Sequence, residues 1–234
     1  MKNLVLILSA LMICTASFFL SSCNDTKGKE TIAQQTTEQT LPELLKRNNA
    51  IGSAEEIEFV MTTYDNAVDA IGANPKNAKA HLKLAELFVL EARATGEHGH
   101  YYPAALQMIE SVLGNEQATE DEQFRAQSLK ASVQLSLHNF EEVLPIAEKA
   151  VEMNPHNAQI YGVLVDAYVE LGDYAKAVEM SDKMISIRPD LRSYARVSYL
   201  REIHGDVTGA IEAMEQAVAS GYPGYEDKAW AQVT

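Results

Sequence analysis

Histidine, cysteine and paired carboxylates are the side chains that could ligate a metal, attack a carbonyl or move a proton. The sequence holds six histidines and two cysteines. His98 and His100, flanking Gly99 and followed by Tyr101 and Tyr102, form the only tight histidine group. Two imidazoles at i, i+2 could contribute to a zinc site, but a tetrahedral site needs four ligands. The segment TGEHGHYY is therefore expected to be a polar insertion loop. His81 and His138 fall in or beside helical segments as packing or capping groups, and His156 and His204 sit in turns. No G-x-S-x-G elbow and no S-x-x-K at a helix start is present. The glycines are scattered and make no phosphate-cradling loop. Glu55-Glu56 and Glu141-Glu142 stand at helix starts, where the helix dipole accounts for adjacent carboxylates. These patterns predict no catalytic site, no cofactor and no metal, so the chain is not read as an enzyme.

Cys23 carries a different chemistry. Lys2 gives a short positive start, an apolar run follows from Leu4 to Leu20, and the run ends in Leu20-Ser21-Ser22-Cys23. This ending resembles the bacterial lipobox, in which a Leu and two small residues precede a Cys that is acylated before the signal peptide is cleaved. The resemblance implies a signal peptide at 1–22 and a lipid on Cys23. Cys14 would leave with the signal peptide, so no disulfide or catalytic thiol would remain. Two or three acyl chains, at about 0.8 kcal/mol per buried methylene, anchor a protein effectively permanently. Asn24 to Thr40 is Thr-, Gln- and charge-rich with one Ile, which cannot bury enough surface to fold. With Cys23 it reads as a tether over 23–40, its flexible residues reaching on the order of 20–25 Å.

Removing residues 1–22 takes one of the 19 basic residues and none of the 33 acidic ones, so the net charge of −14 becomes −15. Such acidity argues against nucleic acid, whose phosphates need a basic surface. It also argues against attachment to anionic lipid headgroups, which leaves the acyl chains to hold the membrane.

A period organises the remainder. Pro155, Pro189 and Pro223 are each 34 residues apart, and AVEMNPHN before the first matches MISIRPDL before the second. Between them Tyr161, Leu164, Val165 and Tyr168 share one helical face. Gly172 suits the left-handed position that closes a helix, Asp173 can cap the next, and Pro189 stops it. With Tyr174 and Ala177, this stretch resembles the tetratricopeptide repeat along its whole length. Val165 stands where that family prefers a small residue and Ser181 where it prefers an aromatic. The resemblance implies an all-α, right-handed α-solenoid of helix-turn-helix tetratricopeptide repeats. The repeat domain is placed at 41–234, with repeats at about 53–77, 78–123, 124–157, 158–190 and 191–226 and a partial one at 227–234. Leu41 to Asn49 is expected to supply a short first helix, Pro103 to lie in the first turn of a delayed helix, and Pro145 to kink or delay its helix. Trp230 is expected in the aromatic place of a partial repeat that is either a minimal cap or the start of a repeat cut short at Thr234.

In this family the first helices of successive repeats line a concave groove that binds protein or peptide. Carried over, the lining comprises Lys79, Leu82, Glu86 and Val89, then Arg125, Ser128 and Ser132. It continues through Gln159, Gly162, Asp166 and Glu170, then Arg192, Ala195, Tyr199 and Glu202. A clamp for a peptide's terminal carboxylate would need Lys or Arg and Asn where Ser128, Ser132, Gly162 and Asp166 stand, so that mode is not expected. Arg125, Arg192 and Tyr199 are the expected contact residues, since Arg and Tyr dominate interface energetics. The expected function is an interaction scaffold binding a protein or peptide, held by its lipid at the periplasmic face of the outer membrane. Two rival readings are a structural subunit of an envelope assembly complex and a glycan- or small-molecule-binding lipoprotein.

Overall fold

The computed structural model describes residues 40–48 and 50–234; Cys23 and the segments expected to be a signal peptide and a tether lie outside that range, but for Thr40. Ten helices follow in order: α1 (Ala54–Ala73), α2 (Ala78–Thr95), α3 (His98–Leu113), α4 (Glu120–Ser136) and α5 (Phe140–Met153). Then come α6 (Ala158–Glu170), α7 (Tyr174–Ile187), α8 (Leu191–Ile203), α9 (Val207–Ser220) and α10 (Glu226–Val233). Helices α2 to α9 pair as four hairpins, and among the described residues there is no strand. The fold is an all-α solenoid of helical repeats.

Local chemistry sets the helix ends. Ser53, Asn77, Asn157, Asp173, Asp190 and Asp206 each accept a backbone N–H in the first turn of the following helix. Thr119 and Glu122 form a reciprocal capping box at the start of α4, four residues ahead of Phe124, where the repeat was expected to open. Gly172 closes α6 at φ +78°, and Gly205 closes α8 at φ +80°. At the matching turn after α4 the left-handed residue is His138, at φ 61°, its ring edge-on to Phe140.

Packing is segmental. One core joins α1 to α3 with Ala126 and Val133 of α4. A second takes the other face of α4, through Phe124 and Ala131, and runs through α5 to α8. A third holds only Leu191, Ala217 and Ala231 as buried members. This near-neighbour arrangement is what stacked repeats produce.

Several expectations are corrected. The TGEHGHYY segment is not a loop: α2 runs on to Thr95, Gly96 turns the chain in the left-handed region, and α3 starts at His98. Pro103 is therefore the sixth residue of α3 rather than a first-turn residue. Pro145 takes the same sixth place in α5, which starts at Phe140 without delay. Near an N-terminus such a proline forfeits at most one or two intrahelical bonds, because the first N–H groups have no partner anyway. Trp230 is half exposed, and Ala231 is the residue of α10 that enters the core. The 40–48 stretch is not a helix. Its backbone is occupied instead: Tyr64 and His100 bond the carbonyls of Pro42 and Glu43, and the Leu45 N–H donates to the Tyr101 hydroxyl.

Candidate functional site

The inner face of the solenoid follows from which helices touch. The first helices contact one another along the stack, α2 with α4, α4 with α6, α6 with α8 and α8 with α10. Among the described residues the backbones of the second helices nowhere come within 8 Å of one another, Cα to Cα. A stack drawn together on one row and apart on the other curves with the first row inside, and α2, α4, α6, α8 and α10 form that row.

Ion pairs stitch this row across repeat boundaries. Arg125 Nη2 of α4 lies 2.6 Å from Glu86 Oε1 of α2. Arg196 of α8 grips Asp166 of α6 with both Nε, at 2.8 Å, and Nη2, at 2.6 Å. Arg192 of α8 reaches Asp227 of α10 at 3.3 Å. Each pair is at least partly exposed, so each contributes about 0–1 kcal/mol; their main effect is to fix the relative placement of adjacent repeats. Between α4 and α6 no such pair occurs among the described residues. Small residues stand on α4 and α6 instead. Ser132 donates its hydroxyl to the Ser128 carbonyl at 3.1 Å, and the buried Ser128 Oγ has no hydrogen-bond partner among the described residues. Gly162 lies close under Arg196, whose Cζ would sit 3.2 Å from any Cβ added there.

Of the expected lining residues, Gly162 is buried and Ser128, Ser132 and Ala195 are partly buried; the others divide three ways. Leu82, 1% exposed, and Val89 are core residues, so they leave the lining. Their burial follows from the length of α2, which packs on α1, α3 and α4 at once. Glu86, Arg125, Asp166 and Arg192 are present at the surface but already paired: Glu86 with Arg125, Asp166 with Arg196 and Arg192 with Asp227. Lys79, Gln159, Glu170, Tyr199 and Glu202 are exposed, with the Tyr199 ring 49% open to solvent. Leu90 and Ile203, exposed apolar residues near the far ends of α2 and α8, join them. The sequence reading did not single out Arg196 or Asp227; the signal for Arg196 was its spacing of four from Arg192 on the same helix. Glu122, beside Lys79 and Arg125, is held below the ordinary carboxylate range, first by the Thr119 N–H that it accepts and only slightly by those cations.

The histidines resolve into packing roles. His98 stacks on Tyr102 with centroids 5.1 Å apart, and His100 bonds the Glu43 carbonyl. Two residues apart on a helix, their imidazoles point to opposite sides. Among the described residues no group of three His, Cys, Asp or Glu is placed to hold a metal.

A family model described as Tetratricopeptide repeat matches residues 134–201, which is the stretch from the end of α4 to α8. Solved structures share the architecture. One is a thermophilic tetratricopeptide-repeat protein of Thermus thermophilus, 13% identical over 77% of this chain and 94% of its own, with a TM-score of 0.61. Another is a tetratricopeptide-repeat protein of Parabacteroides merdae, 18% identical over 76% of this chain and 66% of its own, at 0.57. YrrB, a tetratricopeptide-repeat protein with an unusual peptide-binding site, is 14% identical over 77% of this chain and 87% of its own, at 0.50. At these identities the likeness is one of fold. The family model and the shared fold together support the tetratricopeptide-repeat assignment.

Proposed function

We propose that this chain is a non-enzymatic interaction scaffold whose inner face binds a protein or peptide. The observation that carries the reading is Tyr199, a large aromatic ring half open to solvent on the inner row. The other exposed members of that row are the polar Lys79, Gln159, Glu170 and Glu202 and the apolar Leu90 and Ile203, none of them committed to the core. The ion pairs beside it, being surface pairs, can be exchanged for partner contacts at little cost. Lipid attachment at Cys23, with residence at the periplasmic face of the outer membrane, completes the proposal and rests on the Leu20-Ser21-Ser22-Cys23 signal.

A photo-reactive residue in place of Tyr199 tests the groove in cells. A defined protein adduct is expected there and not at Glu179, an exposed residue of the second-helix row. An adduct at Glu179 alone moves the function to the outer face. Incorporation of a labelled fatty acid that disappears in Cys23→Ala tests the anchor, and label that persists refutes it.

A further inference from the structure

The first hairpin is longer than the others. Its first helix, α2, has 18 residues where α6 and α8 have 13. The added turn of α2 begins at Glu91, and the first turn of α3 carries His100 and Tyr101. These three side chains, with Tyr64 and Glu56 of α1, all face one object: the extended 40–48 stretch of the same chain.

The contacts have the form of peptide recognition. Tyr64 donates its hydroxyl to the Pro42 carbonyl at 2.9 Å, and His100 Nε2 lies 2.9 Å from the Glu43 carbonyl. The Leu45 N–H donates to the Tyr101 hydroxyl at 3.0 Å. Leu41 and Leu44 pack against the first core. Arg47 then enters a closed acidic slot: its Nε donates to Glu91 Oε2 at 2.7 Å, its Nη2 to Glu91 Oε1, and its Nη1 to Glu56 Oε1 at 2.8 Å. Glu91 is 0% exposed. Backbone atoms are read by side chains, apolar residues set the register, and a planar bidentate fork supplies the specificity. Among the described residues Arg47 is the one cation paired with this buried carboxylate, which is a costly thing to keep and makes sense as a receptor for a guanidinium.

We propose that the α1–α3 shelf is a binding site for an extended, arginine-bearing peptide of the pattern Leu-Pro-x-Leu-x-x-Arg, filled in the free protein by residues 41–47 of its own chain. The strap is then an intramolecular ligand. Its covalent link gives it a high effective concentration, so a segment from another chain gains the shelf only when the strap is weakened or outcompeted. The site lies apart from the inner face, and its ligand is defined by the pairing of Glu91 with a guanidinium.

The test uses the full chain in detergent, the variant Arg47→Ala, and an added peptide of residues 40–48. The peptide binds the folded form, so it raises the melting temperature of Arg47→Ala. A peptide with citrulline in place of arginine keeps the shape and loses the charge; it is expected to bind at least about tenfold more weakly. Wild-type protein, whose shelf is full, is expected to respond to neither. If Arg47→Ala gives no cooperative melt, Arg47→Lys, which keeps a cation but loses the fork, is used in the same way. Equal shifts from both peptides, or no shift from either, overturn the proposal.

Discussion

Replacing Arg47 by methionine keeps most of its apolar stem and removes the guanidinium, leaving the Glu91 carboxylate with no cation while 0% exposed. Breaking a buried pair from one side costs about 3–5 kcal/mol. The strap sets a ceiling on that loss, because the chain can let residues 40–48 go and admit water to Glu91. What is then lost is the docking of the strap: three neutral hydrogen bonds at about 1 kcal/mol each, with the packing of Leu41 and Leu44 besides. About 3 kcal/mol or more is therefore expected from urea unfolding at pH 7, followed by circular dichroism. The paired replacement Arg47→Met with Glu91→Leu removes both charges and is expected within about 1 kcal/mol of wild type. A loss under about 1 kcal/mol in the single variant, or a double variant as unstable as the single one, refutes this account of the slot.

Thr119→Ala removes the capping box at α4 and is expected to cost about 1 kcal/mol, read from the same denaturation curves. Glu122→Gln tests its other half: the depressed Glu122 pKa contributes stability that is present above the ordinary value of about 4.3 and lost as pH falls below it. The gap between wild type and Glu122→Gln should therefore close in acid. His138→Gly relieves a left-handed backbone position at about 1–2 kcal/mol and gives back about 0.5–1 kcal/mol of chain entropy, for a net gain of about 0.5 kcal/mol in the unfolding free energy. Tyr199→Ala is expected to leave stability within about 0.5 kcal/mol while abolishing capture of the inner-face partner.

The repeat was legible because its marks are local. Gly172 at a left-handed turn, Asp173 as a cap, Ala177 at a close approach and Pro189 beyond a helix end each act over a few residues, and each stands where the spacing puts it. What escaped depended on distance along the chain. The segment TGEHGHYY has two glycines and no apolar period, so it reads as a loop. It is helix in large part because Tyr101 and Tyr102 are driven into the first core. The 40–48 stretch has the leucines of a helix, but its backbone partners lie on α1 and α3, and Arg47 finds Glu91 across 44 residues. A hint was available: Glu91 falls among Leu87, Phe88 and Ala92 on the buried side of α2, where a lone charge requires a partner. On the inner face, helical spacing located the row but could not show that Leu82 is consumed by packing, or that Arg125 and Arg192 already hold acids of adjacent repeats.

The three cores shrink along the chain, from the broad first one to a third with only three buried members. At the first residue of α5, α7 and α9, apolar exposure rises in step. Phe140 at the start of α5 is partly covered, Tyr174 at the start of α7 is 46% exposed, and Val207 at the start of α9 is 62% exposed. A stack built this way need not melt as one body, since each repeat is held chiefly by its neighbours. Amide exchange should run as a gradient, fastest in α9 and α10 and slowest in α2 and α3. The same gradient gives folding a direction. The α1–α3 layer can begin to close once Glu91 and Tyr101 have followed Arg47 out of the synthesis machinery. Each later hairpin then condenses on a finished surface, and the last remains the most open to exchange with solvent.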